Sequence, residues 1–227
     1  MDDILVWSPR GDWEHHLHLL KRVFVALVAA GITVNLDKSQ FGRESVKYLG
    51  HIVDSYGSRP DPKKISAVVN FPIPKSVFNV RQFVGLAGWM RKYIPHFSSI
   101  AKPLYELYQK NGTFVWGPEQ ETAFVKLKEL LCCYPVLRSP DFERMFKVYT
   151  DASSFGTGAI LAQDFEDGEH VVAYESELLK GRERNYSATE IECLAVVRAL
   201  EAFRPYLLGF HFEVITDHHS LLWLYKL

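Results

Sequence analysis

VYTDAS at residues 148–153 and VITDHH at residues 214–219 are built alike. Each is an apolar, strand-like run that passes through a threonine into an aspartate, Asp151 in the first and Asp217 in the second. If the two strands run parallel and adjacent, both carboxylates leave the sheet at the same end. Aspartate often simply terminates strands, so the pair alone also reads as unrelated surface acids. Between them, SATEIECLAVVRALEAF (187–203) has the spacing of a helix. Ser187 and Glu190 form an S-x-x-E capping box, which gives Glu190 a structural task. Glu192 has no such task. It lies on the stripe of Ala195, Val196, Ala199 and Phe203, the small apolar face expected to pack on the sheet. A carboxylate on a buried face is expensive unless paired or bound to metal. Asp151, Glu192 and Asp217 are therefore a candidate all-oxygen cluster suited to Mg²⁺. Two such ions activate a water and stabilise the leaving oxygen of a phosphodiester. The capping box predicts Glu192 in the first turn of the helix, near the end of the sheet.

Outward from these strands, MFKVYTDAS, GAILAQD and HVVAYESELL read as strands separated by Gly and Asp, so residues 145–217 read β-β-β-α-β. Upstream, DILVW (3–7) reads as a short strand and Asp12 to Ala30 as a helix. Leu17, Leu20, Phe24, Leu27 and Val28 share one face of that helix, and Gly31 stops it. SVKYLGHIVDSYG (45–57) reads as a hairpin, and Pro60 and Pro62 in SRPDPKK suggest a boundary. Helices fill Lys63 to about Tyr108, broken at FPIPKS and at Pro95, and WGPEQETAFVKLKELL (116–131) is a further helix opened by Pro118. The fold class is α/β (α+β) with a mixed sheet.

The chain has 227 residues, 48% of them apolar, with 26 Lys plus Arg against 27 Asp plus Glu. A packed core is attainable and disorder is not expected. Cys132, Cys133 and Cys193 form no even framework, which predicts a reducing, intracellular setting, cytoplasm or nucleus. The longest apolar run, Val23 to Ile32, is too short to cross a bilayer, so no membrane partner is expected. His15, His16 and His18 lack a matching cluster at zinc spacing and read as solvated helix residues.

Near-neutrality hides a strong local bias. From Pro62 to Tyr105 there is no acid, while Lys63, Lys64, Lys75, Arg81, Arg91, Lys92 and Lys102 are present. Phe71, Phe78, Phe83, Trp89, Tyr93 and Phe97 are interleaved with them. Charge for phosphates and flat faces for bases and sugars are what a nucleic-acid surface needs. Within NVRQFVGLAGWMRKYI (79–94), Val80, Phe83, Ala87, Met90 and Ile94 form a core stripe. Arg81, Gly85, Gly88 and Lys92 recur on another face. Glycine inside a helix costs about 1 kcal/mol relative to alanine, so two on one stripe imply close approach to the backbone, by nucleic acid or by another helix.

Taken together, these stretches resemble the reverse transcriptase–ribonuclease H segment of a gypsy-type long-terminal-repeat retrotransposon Pol polyprotein, over essentially the whole chain. MDDILVWS resembles the second half of the polymerase Y-x-D-D box, and KYLGHIVDSYG a primer-grip hairpin. NVRQFVGLAGWMRKYIPHFS resembles the thumb helix that tracks a primer–template minor groove, with Arg81, Gly85 and Trp89 on its contact face. FVWGPEQETAFVKLKELL is similar to the connecting helix. YTDAS, RNYSATEIECLAVV and VITDHHSL match the three successive acidic motifs of ribonuclease H.

The resemblance implies a palm remnant over 1–60, thumb and connection helices over 61–140 and a C-terminally truncated ribonuclease H-like domain over 141–227. It implies RNA-directed DNA synthesis and cleavage of the RNA strand of an RNA–DNA hybrid, with Mg²⁺, or Mn²⁺, as cofactor. Asp2 and Asp3 would correspond to paired polymerase aspartates that hold metal with a third aspartate from an earlier strand, and Asp151, Glu192 and Asp217 to the nuclease metal ligands. Arg81, Gly85, Gly88, Trp89 and Lys92 would meet nucleic acid. Implied partners are hybrid, DNA primer–template and the remainder of the polyprotein, with dNTP only in the complete polymerase. Met1 would be internal to the box, and a fourth nuclease ligand would follow Leu227. The chain alone is then expected to be polymerase-dead and nuclease-impaired. YESELLK (174–180) departs from the small residue and base usual after the tyrosine, and Ser39 stands where a cysteine is common. The alternative reading is a non-catalytic nucleic-acid-binding remnant, or a protein retained by its host.

Overall fold

A computed structural model describes residues 3–8, 11–108, 114–133 and 136–217. Asp12 caps helix α1 (Trp13–Ala29), its side chain accepting from the His15 amide, and the chain leaves the helix through Gly31 at φ 69°. The α1 face predicted from spacing is real in periodicity but unmatched in packing: no residue of α1 is buried. The expected strand at DILVW does not form. Residues 3–8 have no regular structure, and Ile4 and Trp7 are 57% and 59% exposed. A strand exists only by pairing, and this segment has no partner strand among the described residues.

The hairpin forms as β1 (Ser45–Tyr48) and β2 (His51–Asp54), joined by Leu49 and Gly50 at φ 47° and 76°. A third strand, β3 (Gly57–Pro60), pairs antiparallel with β2, where the sequence suggested only a boundary. Pro60 ends this strand and Pro62 begins helix α2 (Pro62–Val69), whose cap is Asp61. Proline fits both places, because neither demands its missing N–H.

Helices α3 (Val77–Gly88), α4 (Phe97–Glu106) and α5 (Pro118–Cys132) enclose one core with α2. The predicted α3 stripe is buried throughout: Val80, Phe83, Ala87 and Met90 at 0% exposure and Ile94 at 1%. Each large apolar side chain buried this way stabilises the fold by roughly 1.5–3 kcal/mol. Phe83 sits between Phe71 and Phe124, at ring separations of 5.5 and 4.5 Å.

The second sheet holds β4 (Phe146–Ala152), β5 (Gly156–Phe165), β6 (Gly168–Leu178) and β7 (Phe212–Ile215), in the order β6-β5-β4-β7. Helix α6 (Ala188–Leu207) lies on the face that carries Phe146 and Val148, against which Ala199, Phe203 and Leu207 pack. The expected parallel pairing is present: β4 and β7 run from Phe146 opposite Phe212 to Tyr149 opposite Ile215. Buried Gln163 staples the approach to β4. Its Nε2 donates to the carbonyls of Asp141 and Arg144, and its Oε1 accepts from the Asp141 amide.

A connector clips the two sheets together. Leu137 exchanges both backbone hydrogen bonds with Ser58 of β3, and the next amide, Arg138, donates to Val171 of β6. Gly57 makes this possible. A Cβ there would lie 1.9 Å from the Leu137 carbonyl oxygen, and its φ is 140°. Arg91 adds a side-chain tie, donating to the Glu175 carboxylate and the Ser176 carbonyl, and the Ser98 amide donates to Ser176 Oγ at 3.0 Å.

Candidate active site

The register of the parallel pair settles where the two strand-end aspartates go. Asp151 and Asp217 each lie two residues beyond the last matched couple, Tyr149 opposite Ile215. They therefore fall side by side, both exposed, and both line a cavity of about 340 Å³. Pro95 and His96, just before α4, also line it, with Tyr149, Gly158 and Tyr174.

Glu192 comes from the helix side of the sheet. Side chains alternate across a strand, and Phe146 and Val148 face α6, so Asp151, of the other parity, faces away from α6. The carboxylates thus share one end of the sheet but not one face, and Glu192 is not on the cavity wall. It is half-buried and is the fifth residue of α6, so it opens the second turn; the expected first-turn position belongs to Glu190, whose capping box with Ser187 is present. Among the described residues, no three His, Cys, Asp or Glu side chains are arranged to hold a metal. The donor chemistry of Asp151 and Asp217 nevertheless suits a hard cation, since adjacent exposed carboxylates repel and supply only oxygen. Asp3 is exposed in the irregular N-terminal segment, and Asp2 lies outside the described residues. His16 accepts or donates one hydrogen bond with Ser8 at 2.9 Å, in keeping with a surface helix residue.

The acid-free stretch gathers its bases around α2–α4, but several are already engaged. Arg91 is paired with Glu175, Lys102 lies 3.3 Å from the Phe155 ring centroid, and Arg81 stacks over Tyr108 at 5.5 Å. Lys92 is half-buried over Tyr93, and that burial pushes its ammonium below the usual lysine range. Burial also pushes the Tyr108 hydroxyl up to about 12, with Tyr105 contributing.

Phe78, Arg81, Gly85 and the C-cap Trp89 are nevertheless exposed and form one stripe at helical spacing on α3. A Cβ at Gly85 would meet nothing within 4 Å, so this glycine does not serve a helix contact within the described fold. Gly88 differs, its Cβ position lying 3.8 Å from Phe97. Trp89 is held rather than loose. His51 stacks on it at 4.3 Å with planes 10° apart, Lys64 lies 5.4 Å from its ring, and Gly50 leaves the room it needs.

Sequence reasoning missed His96 and the Arg91–Glu175 pair. The interruption at Pro95 marked a break without showing that it meets the sheet, and the ion pair joins residues 84 apart in sequence.

A family profile described as "RNase H-like domain found in reverse transcriptase" matches residues 116–214. Over 228 residues the chain is 40% identical to "Retrovirus-related Pol polyprotein from transposon 297" of Drosophila melanogaster, covering 100% of this chain and 21% of that protein. It is 34% identical to "Transposon Tf2-3 polyprotein" of Schizosaccharomyces pombe, covering 98% and 17%. The chain thus spans about a fifth of the length of these curated relatives. Among solved structures, the foamy viral protease-reverse transcriptase in complex with RNA/DNA hybrid is 26% identical with a TM-score of 0.77, over 97% of this chain and 30% of that one. The same viral protein in complex with dsDNA is 26% identical with a TM-score of 0.74, over 97% and 46%. No helix among the described residues is long and apolar enough to cross a membrane.

Proposed function

We propose that this chain, a homologue of retrotransposon Pol polyproteins that carries the RNase H-like domain of reverse transcriptase, serves its polyprotein by gripping an RNA–DNA hybrid and cleaving the RNA strand. The family is enzymatic, and RNase H-like domains generally use a divalent metal. The observation that carries the reading for this chain is the side-by-side placement of Asp151 and Asp217 at the ends of two parallel strands. We assign residues 1–60 to polymerase palm, 61–140 to thumb and connection helices and 141–227 to the nuclease domain, of a gypsy-type element.

Asp151 and Asp217 are the residues that would hold Mg²⁺, with Mn²⁺ as substitute, and Glu192 would join them from the far face of the sheet. A bound divalent ion would lower the pKa of a water and offset charge on a leaving oxygen. The chain's own part is geometric. β4 and β7 fix the spacing of the two carboxylates through their shared register. Tyr149 and Tyr174 give the cavity flat walls, and Pro95 closes one side. Outward on α3, Gly85 lets a sugar–phosphate backbone come close, while Arg81 and Trp89 flank it. Asp3 and Asp2 belong, on this reading, to the polymerase half of the complete polyprotein, which would add primer–template and dNTP as partners.

The test is a thermal melt with and without Mg²⁺, beside a hybrid-cleavage assay on a labelled RNA strand. Mg²⁺ should raise the melting temperature by relieving repulsion between the two acids, following RT ln(1 + [L]/Kd). Asp151→Asn should abolish both the shift and any cleavage. Melting indifferent to Mg²⁺, together with cleavage that survives Asp151→Asn, would overturn the proposal. The open space at Gly85 also supports nucleic-acid binding without cleavage. That second reading predicts hybrid affinity that falls steeply with salt and weakens in a well-folded Gly85→Leu variant, whatever Asp151→Asn does.

A further inference from the structure

His96 holds a backbone conformation that few residues other than glycine adopt. Its φ is 53° and ψ 29°, the left-handed region, which Asn, Asp and His enter more often than other non-glycine residues. His96 opens α4 through its backbone, its carbonyl accepting from the Ile100 amide at 3.1 Å, but the ring is exposed and has no hydrogen-bond partner among the described residues. Non-glycine residues in this region cost about 1–3 kcal/mol, and they persist where the surroundings or the function fix them.

The place of the ring supplies the reason. His96 lines the same cavity as Asp151 and Asp217, from the helical half of the molecule. Its neighbour on the sheet is Gly158, the residue paired with Asp151 in the β4–β5 ladder. A Cβ on Gly158 would lie 3.4 Å from His96 Nδ1 and 3.8 Å from the Asp151 carbonyl oxygen, ordinary contact distances that place the ring over the sheet beside Asp151. The wall is also firmly mounted. Phe97 and Ser98, the next residues, are buried at 1% and 6% exposure, and Ser98 is bonded to Ser176 of β6 through both its amide and its hydroxyl.

We infer that His96 is a substrate-contacting residue of the nuclease cavity, donating an imidazole N–H hydrogen bond to a phosphate oxygen of the strand that lies over Asp151 and Asp217. The inference rests on the nuclease reading above. Two carboxylates repel a phosphodiester, and a donor on the facing wall offsets that repulsion at one atom. A neutral imidazole suffices, since one ring nitrogen always carries a hydrogen. The residue thereby lends the helical half a part in the chemistry of the sheet, and it sets where along the backbone the strand is held.

Two substitutions separate this role from a structural one. His96→Gly removes the donor and relieves the left-handed backbone. His96→Asn keeps a donor and tolerates the backbone, though with shorter reach. Hybrid affinity is read by fluorescence anisotropy with Ca²⁺ in place of Mg²⁺, and cleavage is read separately with Mg²⁺. The glycine variant should melt at or above the parent temperature yet bind hybrid about tenfold more weakly, the loss of one hydrogen bond to a charged group. Its KM should rise by a similar factor with kcat within about twofold, and the asparagine variant should recover part of the loss. Parent-like binding and KM in the glycine variant would overturn the role of His96 while leaving the nuclease reading intact, provided Asp151→Asn still removes cleavage. Weakened binding in a chain that cleaves nothing would support His96 as a strand contact and count against the nuclease reading alone.

Discussion

Helices α1 and α3 are written in similar language and meet different fates. Both show apolar residues at helical spacing, and both begin at a side-chain cap, Asp12 in one and Ser76 in the other. Helix α3 buries Val80, Phe83, Val84 and Ala87, whereas α1, the longer at 17 residues, buries none. An apolar face specifies that a helix wants a partner, not that one is present. α3 finds α2, α4 and α5 in its own neighbourhood of sequence, while the face of α1 meets no comparable neighbour among the described residues. Among the described residues up to Glu44 none is buried, whereas the buried clusters run from Val68 to Leu207.

The largest expected effect strikes the backbone clip on which that core depends. Gly57→Ala sets a methyl group 1.9 Å from a carbonyl oxygen at a φ of 140°, so it should destabilise the chain by more than about 4 kcal/mol in urea unfolding. A loss below about 1 kcal/mol would show that the connector moves freely. Next comes the core itself. Leu127, at 0% exposure, should cost about 2–5 kcal/mol when cut to alanine, because the cavity left behind cannot fully collapse. The α1 counterpart sharpens the contrast. Val28→Ala removes a side chain that is 77% exposed and should change stability by less than about 0.5 kcal/mol. A larger loss at Val28 would mean that α1 is packed after all.

Between these extremes lies a pH effect at the hairpin. Burial, and secondarily the Lys92 cation, hold the His51 imidazole down at about 4, against an ordinary 6.5. From pH 6.5 down to 4 the unfolded chain takes up a proton that the native ring refuses. The stability due to neutral His51 is thus whole above pH 6.5 and is lost as the pH falls toward 4. The ring is half-exposed, so solvent screening reduces the effect to about 1 kcal/mol. Urea midpoints at pH 7 and 4.5 should differ by less in His51→Gln than in the parent; an equal difference would place the titration on another group.

What could be read from the sequence follows from how local each signal is. The caps at Asp12 and Ser187, the α3 stripe and the paired strands ending in Asp151 and Asp217 are all patterns within a few residues or one motif repeated. Strand β3 was invisible because Gly57–Pro60 has poor strand propensity; it is held by β2 and, at Ser58, by Leu137 from 79 residues away. DILVW erred in the opposite direction, since strong propensity without a partner yields no strand. The stripe of Glu192 was legible. The face of the sheet that each acid takes was not, because that depends on the parity of β4 relative to α6. His96 carried no signal beyond lying next to a proline, and only the fold shows what it faces.

Gln163 carries a consequence for how this protein ages. Its amide nitrogen sits 2.7 and 3.0 Å from two backbone carbonyls, and its oxygen 2.9 Å from a backbone amide. Deamidation would exchange that nitrogen for a second acceptor, setting a carboxylate against both carbonyls inside a site with 0% exposure. The loop at 141–144 would lose its anchor on β5 while the sheet beyond it stayed paired. Chemical damage at one amide would then loosen the lead-in to the strand that bears Asp151 before it touched the core of the molecule.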